Sequence, residues 1–277
     1  MKIGVIGLGM VGKAIYDVFM EEHEMCFYDI KFSESKITDV IETDIIYIAV
    51  PTLPDENNKC NISILSSVIE DLLNLEYTGV ICIKSTITPG TTIDYINKYK
   101  NDKISYCPEF LKERSAYNDF KFHNEICIIG TINDDVFEII KESHKNISQI
   151  FKKVHPTEAE LTKYFQNVYN TCRILFANAF YEVCTKNNIE YNSIIESLLA
   201  RHEIDDHYIR CNKDLRGPSG PCLVKDTLAF NEYVKSLQLT IKPNMFQTLV
   251  DDMKLYPRTI INGTRTEIEY FGKELNK

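Results

Sequence analysis

The segment Gly217-Pro218-Ser219-Gly220-Pro221-Cys222-Leu223-Val224-Lys225-Asp226 concentrates residue types that chemistry uses. Two glycines and two prolines shape a loop, and a helix is expected to begin near Asp226. A cysteine on such a loop, with Lys225 close by, is either a nucleophile favoured as its thiolate or a thiol packed as a small hydrophobe. Lys163 and Asn167 stand four apart in a helical stretch and share a face, turned either to a cleft or to solvent. Lys84-Ser85-Thr86 and Pro108-Glu109-Phe110-Leu111-Lys112-Glu113 each follow an apolar run of strand type. Ligands collect at those carboxyl ends in a parallel sheet. Glu109 and Glu113 are four apart and share a face if that segment is helical. The histidines show no ligand spacing: His202 and His207 are five apart, which is not a helical pair, and no metal site is expected.

A second motif stands at the other end of the chain. Gly7-Leu8-Gly9-Met10-Val11-Gly12 directly follows an apolar strand and opens a helix. The first glycine permits a tight turn, the second lets backbone N–H groups approach a pyrophosphate, and the third lets helix and strand pack closely. The helix N-terminus then holds the anion without a basic side chain. Asp29 ends the second strand, 22 residues after Gly7, with Lys31 close by. An acid there suits a ribose diol and repels a 2′-phosphate, which favours NAD over NADP.

The elements that must position these residues change character part-way along. Apolar runs at 2–6, 25–28, 44–50, 79–83, 104–106 and 125–129 alternate with amphipathic helical stretches at 12–22, 63–75 and 91–100. This βαβα pattern predicts an α/β fold with a Rossmann-like, doubly wound parallel sheet. Thr157-Glu158-Ala159-Glu160 after Pro156 reads as a capping box with Thr157 at the N-cap. From there to about 185 no glycine or proline interrupts, so one helix of about 42 Å is expected, apolar on several faces. Further helices are expected at 191–199, 226–237 and 245–254. An N-terminal cofactor domain over 1–155 and an all-helical domain with a long central helix over 156–277 follow. The polar tail after Pro257 carries no assignable element.

With 277 residues the chain has room for two modest domains. Its formal net charge of -9 disfavours nucleic acid and anionic membrane as partners, and no apolar run approaches the roughly 20 residues of a membrane span. Nine cysteines with no C-x-x-C pair and no signal peptide read as reduced thiols in a cytoplasm.

Six motifs stand in order: Gly7 to Gly12, Val50-Pro51-Thr52-Leu53-Pro54, Lys84-Ser85-Thr86-Ile87-Thr88-Pro89-Gly90-Thr91, Pro108 to Glu113, Glu158 to Lys163 with Asn167, and Gly220 to Asp226. Over about residues 1–255 this series resembles the UDP-glucose/GDP-mannose 6-dehydrogenase family. The resemblance implies NAD-dependent oxidation of the C6 alcohol of a nucleotide sugar, UDP-glucose first among candidates, to a carboxylate in two hydride transfers. Cys222 would carry the thiohemiacetal and thioester. Lys163, assisted by Asn167, would stabilise the oxyanion. Asp226, Thr86 and Glu113 would handle the proton or position water, and Glu109 would assist thioester hydrolysis. Gly7, Gly9, Met10, Val11, Gly12, Asp29, Lys31, Pro51, Thr52 and Thr86 would hold the cofactor. Phe110, Leu111, Lys112, Glu113, Lys163, Gly217 and Gly220 would meet the substrate. The resemblance also implies a homodimer through the long helix.

The chain departs from the family pattern in places. Relatives of ordinary length carry a third, nucleotide-gripping domain, which is expected to be missing here, and the stretch between Asp29 and the third strand is short. Glu203 stands where relatives carry an arginine that reaches a neighbouring subunit's substrate. Ser219 replaces a glycine, Val224 a proline, and Arg114 a glycine. Two other readings compete: a β-hydroxyacid-type dehydrogenase, which performs a single two-electron oxidation and needs no cysteine, and a catalytically reduced NAD-binding assembly partner.

Overall fold

The computed structural model describes residues 1–202 and 204–256; Glu203 and the tail from Pro257 onward lie outside them. The chain divides into two compact units, one of residues 1–55 and 60–163, the other of residues 56–59 and 164–277.

In the first unit, β1 (Lys2–Ile6), β2 (Glu24–Tyr28), β3 (Ile45–Ile48), β4 (Val80–Ile83), β5 (Ile104–Tyr106), β6 (Ile126–Gly130) and β7 (Ile150–Val154) form one sheet in the order β2-β1-β3-β4-β5-β6-β7. The inner strands read as unbroken apolar runs because both faces are covered. Ile3, Val5, Ile45, Tyr47, Val80 and Cys82 pack with α1 (Met10–Phe19), α4 (Ala116–Phe122) and α5 (Asp134–Ser143). The alternate residues Ile6, Ile46, Ile48, Ile81 and Ile83 pack with α2 (Ser63–Asn74) and α3 (Thr91–Tyr99). The period of two along each strand thus feeds two helical layers.

Two expectations need correction. The sheet is not wholly parallel: β5 and β6 pair antiparallel through Tyr106 and Gly130. The connecting helix α4 is short and packs against α1, so the chain re-enters the sheet from the opposite end. A seventh strand, β7, also exists. It is a half-exposed edge bearing Lys152 and Lys153, which protect an edge and hide the apolar pattern.

The long helix α6 (Pro156–Lys186) starts at Pro156, and the capping box is not at Thr157. The Glu158 carboxylate accepts from the His155 N–H at 2.8 Å, and the Thr157 N–H donates to His155 Nδ1 at 3.3 Å. Proline suits the first helical position, which moves the start forward.

In the second unit α6 continues and is followed by α7 (Tyr191–Leu199), α8 (Gly220–Ser236) and α9 (Met245–Met253). Ala177, Cys184, Tyr191, Ile195 and Cys211 form one apolar cluster. Val168, Leu175 and Leu249 form another, with Phe230 and Phe246 packed on it. Among the described residues no helix is long and apolar enough to cross a membrane.

Candidate active site

The glycine turn lies between β1 and α1, at the point where strand order reverses between β1 and β3. Gly7 has φ +89°, and a Cβ there would sit 2.8 Å from the Ala49 carbonyl oxygen. At Gly12 a Cβ would fall 1.8 Å from the Gly7 carbonyl oxygen, so the helix packs on the turn only through a glycine. Gly9 differs. A Cβ there meets no protein atom within 4 Å, so protein packing does not require a glycine at this position. Gly9 is also the N-cap of α1 and offers no side-chain cap, which leaves the first-turn N–H groups of Met10, Val11 and Gly12 for an anion.

The Asp29 carboxylate accepts from the Leu8 N–H at 2.6 Å and from the Lys31 N–H at 2.8 Å. Each oxygen keeps acceptor capacity for a hydroxyl. The ends of β3 and β4 are laced in both directions: Thr52 donates to the Thr86 carbonyl at 2.6 Å, and Ser85 donates to the Val50 carbonyl at 2.6 Å. Pro51 sits in this turn and is exposed. The glycine cradle, the open helix end and the acid at the β2 terminus together fit a dinucleotide.

A buried ion pair closes another part of the first unit. Lys163 Nζ lies 2.9 Å from a Glu109 carboxylate oxygen and 2.5 Å from the Glu109 carbonyl, while the other carboxylate oxygen accepts from the Leu111 N–H at 2.8 Å. The two side chains are 3% and 5% exposed, so this is a desolvated pair held by extra hydrogen bonds. The Phe110 ring lies 5.6 Å from Lys163 Nζ and covers it. Residues 107–112 are not helical and Glu113 opens a short 3-10 turn, so Glu109 and Glu113 do not share a helical face. The Lys112 N–H donates to Asp119.

The second unit holds the other cluster. Helix α8 begins at Gly220, six residues before the expected start, which places Cys222 in its first turn and not on a loop. Gly217 and Gly220 have φ +43° and +74°, left-handed values that glycine accepts freely. Asp226 is fully buried; it accepts from Asn167 Nδ2 at 2.6 Å and pairs with Lys225 Nζ at 2.5 Å. Cys222 and Asp226 stand four apart on α8 and share a face.

Other positioning residues gave no clear signal in the sequence. Glu160, expected to cap its own helix, instead accepts from the Gly90 N–H at 2.5 Å and from the Thr92 N–H and hydroxyl at 2.8 and 2.6 Å. It caps α3 and pins the loop that carries Thr86. Burial raises its pKa despite those donors. Arg216 reaches Asn178 Oδ1 at 2.7 Å and pairs with Glu182, anchoring the start of the 217–220 turn. The fold also gathers Cys107, Cys127 and His144, ligand-type side chains far apart in sequence, within 4.8 Å of one another.

Two family profiles match the chain. The UDP-glucose/GDP-mannose dehydrogenase NAD binding domain matches residues 22–148, and the central domain of the same family matches residues 157–252. The chain belongs to the UDP-glucose/GDP-mannose dehydrogenase family. A UDP-glucose 6-dehydrogenase of Campylobacter jejuni is 28% identical, over 82% of this chain and 66% of its own length. One from Rickettsia bellii is 24% identical, over 90% and 57%. The chain thus spans roughly three fifths of the length of these curated relatives. A UDP-glucose dehydrogenase of Pyrobaculum islandicum has a similar fold, with a TM-score of 0.81 at 23% identity over 92% of this chain and 68% of that one. A 3-hydroxyisobutyrate dehydrogenase of Mycobacterium tuberculosis shares the fold at TM-score 0.72 and 12% identity, over 92% of both chains. Family membership and the Rossmann-type fold followed by helices agree with the reading from the motifs.

Proposed function

We propose that the protein is an NAD-dependent dehydrogenase that oxidises the C6 alcohol of a nucleotide sugar, UDP-glucose first among candidates, to a carboxylate. The observation that carries this reading is the arrangement on α8: Cys222 stands one turn before the buried Asp226, which Asn167 and Lys225 hold in place. A single two-electron oxidation needs no thiol, whereas a cysteine that holds the aldehyde covalently divides a four-electron oxidation to the acid into two easier hydride transfers.

NAD, held by Gly7, Gly9, Met10, Val11, Gly12, Asp29, Lys31, Pro51, Thr52 and Thr86, supplies the hydride acceptor. Cys222 attacks the C6 aldehyde to give a thiohemiacetal, later a thioester. The N–H groups of the first turn of α8 favour the attacking thiolate. Lys163 stabilises the oxyanion, a cation aimed where charge develops, and Asn167 assists it. Asp226 takes the proton or orients water together with Thr86 and Glu113, and Glu109 assists thioester hydrolysis. Phe110, Leu111, Lys112, Gly217 and Gly220 line the sugar.

A homodimer forms through α6, and the chain works in a cytoplasm. The dimer is supported by Phe165, Tyr169, Phe176, Phe180 and Val183, which recur every three to seven residues along α6 and are 44–74% exposed. Nine cysteines without a C-x-x-C pair suit a reducing compartment.

The test is stoichiometry with purified protein. Two NADH per UDP-sugar and a carboxylate product are expected, with Cys222→Ala losing the second oxidation. One NADH per molecule, on a small hydroxy acid, would instead support the β-hydroxyacid-type reading, which the likeness to the 3-hydroxyisobutyrate dehydrogenase fold keeps in view. Tight NAD binding without turnover on any sugar nucleotide would leave an NAD-binding assembly partner.

A further inference from the structure

The buried cluster on the α1 side of the sheet plays no part in the proposed chemistry. Lys84, at the end of β4, is 3% exposed, and its ammonium has one hydrogen-bond partner among the described residues, the Cys107 sulfur at 3.3 Å. The rings of Tyr47 and Phe120 each lie 5.9 Å away and offer only their faces. A buried ammonium with no carboxylate needs an anion, and the nearest group able to become one is the Cys107 thiol. Cys107 Sγ in turn lies 3.7 Å from Cys127 Sγ on β6. Hydrogen bonds from the Cys127 and Cys82 thiols, then the charge of Lys84, hold Cys107 well below the usual thiol range. Burial pulls Lys84 down, but Cys107 and the other thiols outweigh it, so its pKa is raised. His144 completes the cluster as a neutral ring, since burial lowers it to about 4.

From this geometry we infer that Cys107 and Cys127 form a peroxide-sensitive thiol pair, with Lys84 as the activating cation. A cavity of about 10 Å³, on the order of one water, is lined by Lys84, Cys107 and Cys127, so a small hydroperoxide reaches the sulfur as the rim gives way. Its rim residues Phe110, Leu111 and Asn124 are partly exposed.

The step balances without stranding a charge. The Cys107 thiolate attacks one oxygen of a hydroperoxide, the O–O bond breaks, and the leaving hydroxide takes the Lys84 proton as water. Cys107 is then a sulfenic acid and Lys84 a neutral amine. Cys127 sulfur attacks the Cys107 sulfur, the S–OH bond breaks, and the hydroxyl leaves with the Cys127 proton as a second water. Two thiols lose two electrons and the peroxide gains them. The disulfide draws the turn after β5 toward β6, two residues from Glu109. A metal ion fits the cluster less well, because Lys84 would place a second cation against the same sulfur.

The experiment treats the intact protein with graded hydrogen peroxide, traps remaining thiols and maps cysteine peptides by mass spectrometry. The expected result is a Cys107–Cys127 disulfide at lower peroxide than any modification of the more exposed Cys26, Cys60, Cys172 or Cys222, reversed by dithiothreitol. Cys127→Ser should halt at a dimedone-reactive Cys107, and Lys84→Met should slow oxidation by about tenfold. The wild-type map decides even if a variant fails to fold. Cys107 and Cys127 remaining reduced while exposed cysteines oxidise, a Cys107–Cys82 link, or stoichiometric zinc retained by the purified protein would each overturn the inference.

Discussion

Lys163 Nζ contacts both the side chain and the backbone carbonyl of Glu109, at 2.9 and 2.5 Å. One ammonium thereby fixes a carboxylate and the turn that bears it. The pair is dry, so each member depends on the other.

Removing one member of a desolvated pair leaves an uncompensated charge. Lys163→Met and Glu109→Leu are each expected to cost about 3 kcal/mol in urea denaturation. The double variant should lose clearly less than the sum of the two. Additive losses would show that the side chains do not interact in solution.

The three glycines of the cofactor turn separate folding from binding. Gly12→Ala drives a methyl into the Gly7 carbonyl and should destabilise the protein strongly. Gly9→Ala meets no protein atom and should leave the melting temperature unchanged while weakening NAD binding at least tenfold by calorimetry. Unchanged NAD affinity in Gly9→Ala would remove the pyrophosphate from this turn.

Acid should weaken the fold through His144. Its pKa is lowered to about 4 by burial, from an ordinary 6.5. The native state therefore binds fewer protons than the unfolded chain between those values, and stability falls as pH drops through that window. The full effect is roughly 3 kcal/mol, at about 1.4 kcal/mol per unit. Urea midpoints at pH 7 and pH 5 should differ less in His144→Phe than in the wild type; an equal difference would assign the acid response elsewhere.

The exposed aromatic stripe on α6 predicts that Phe165→Glu or Phe176→Glu yields a monomer with unchanged circular dichroism, measured by sedimentation. A wild-type protein that sediments as a monomer would end the dimer reading.

The apolar runs of β1, β3 and β4 were plain in the sequence because strands covered on both faces read as continuous hydrophobes. Edge strand β7 was not, since Lys152 and Lys153 break its run. The glycine turn was legible because each glycine answers a local steric need or a ligand. Glu160 gives a misleading signal: a carboxylate three residues after a threonine satisfies the capping pattern, while its actual partners, Gly90 and Thr92, lie some 70 residues away in sequence. The first turn of α8 reads as loop in the sequence because glycine and proline there resemble a breaker, although proline is at home in a first helical turn. The Lys84 cluster left no spacing signal at all, because its members come from separate strands and from the end of a helix.

Glu160 has a practical consequence for anyone dissecting the chain. A cofactor-binding fragment cut at 155, where the strand-rich half ends, would leave α3 without its cap and the Thr86 loop without its anchor. It would also strip Glu109 of its only cationic partner among the described residues. The first turns of the long helix are part of the sheet unit's own architecture, and a fragment must run past Lys163 to keep both.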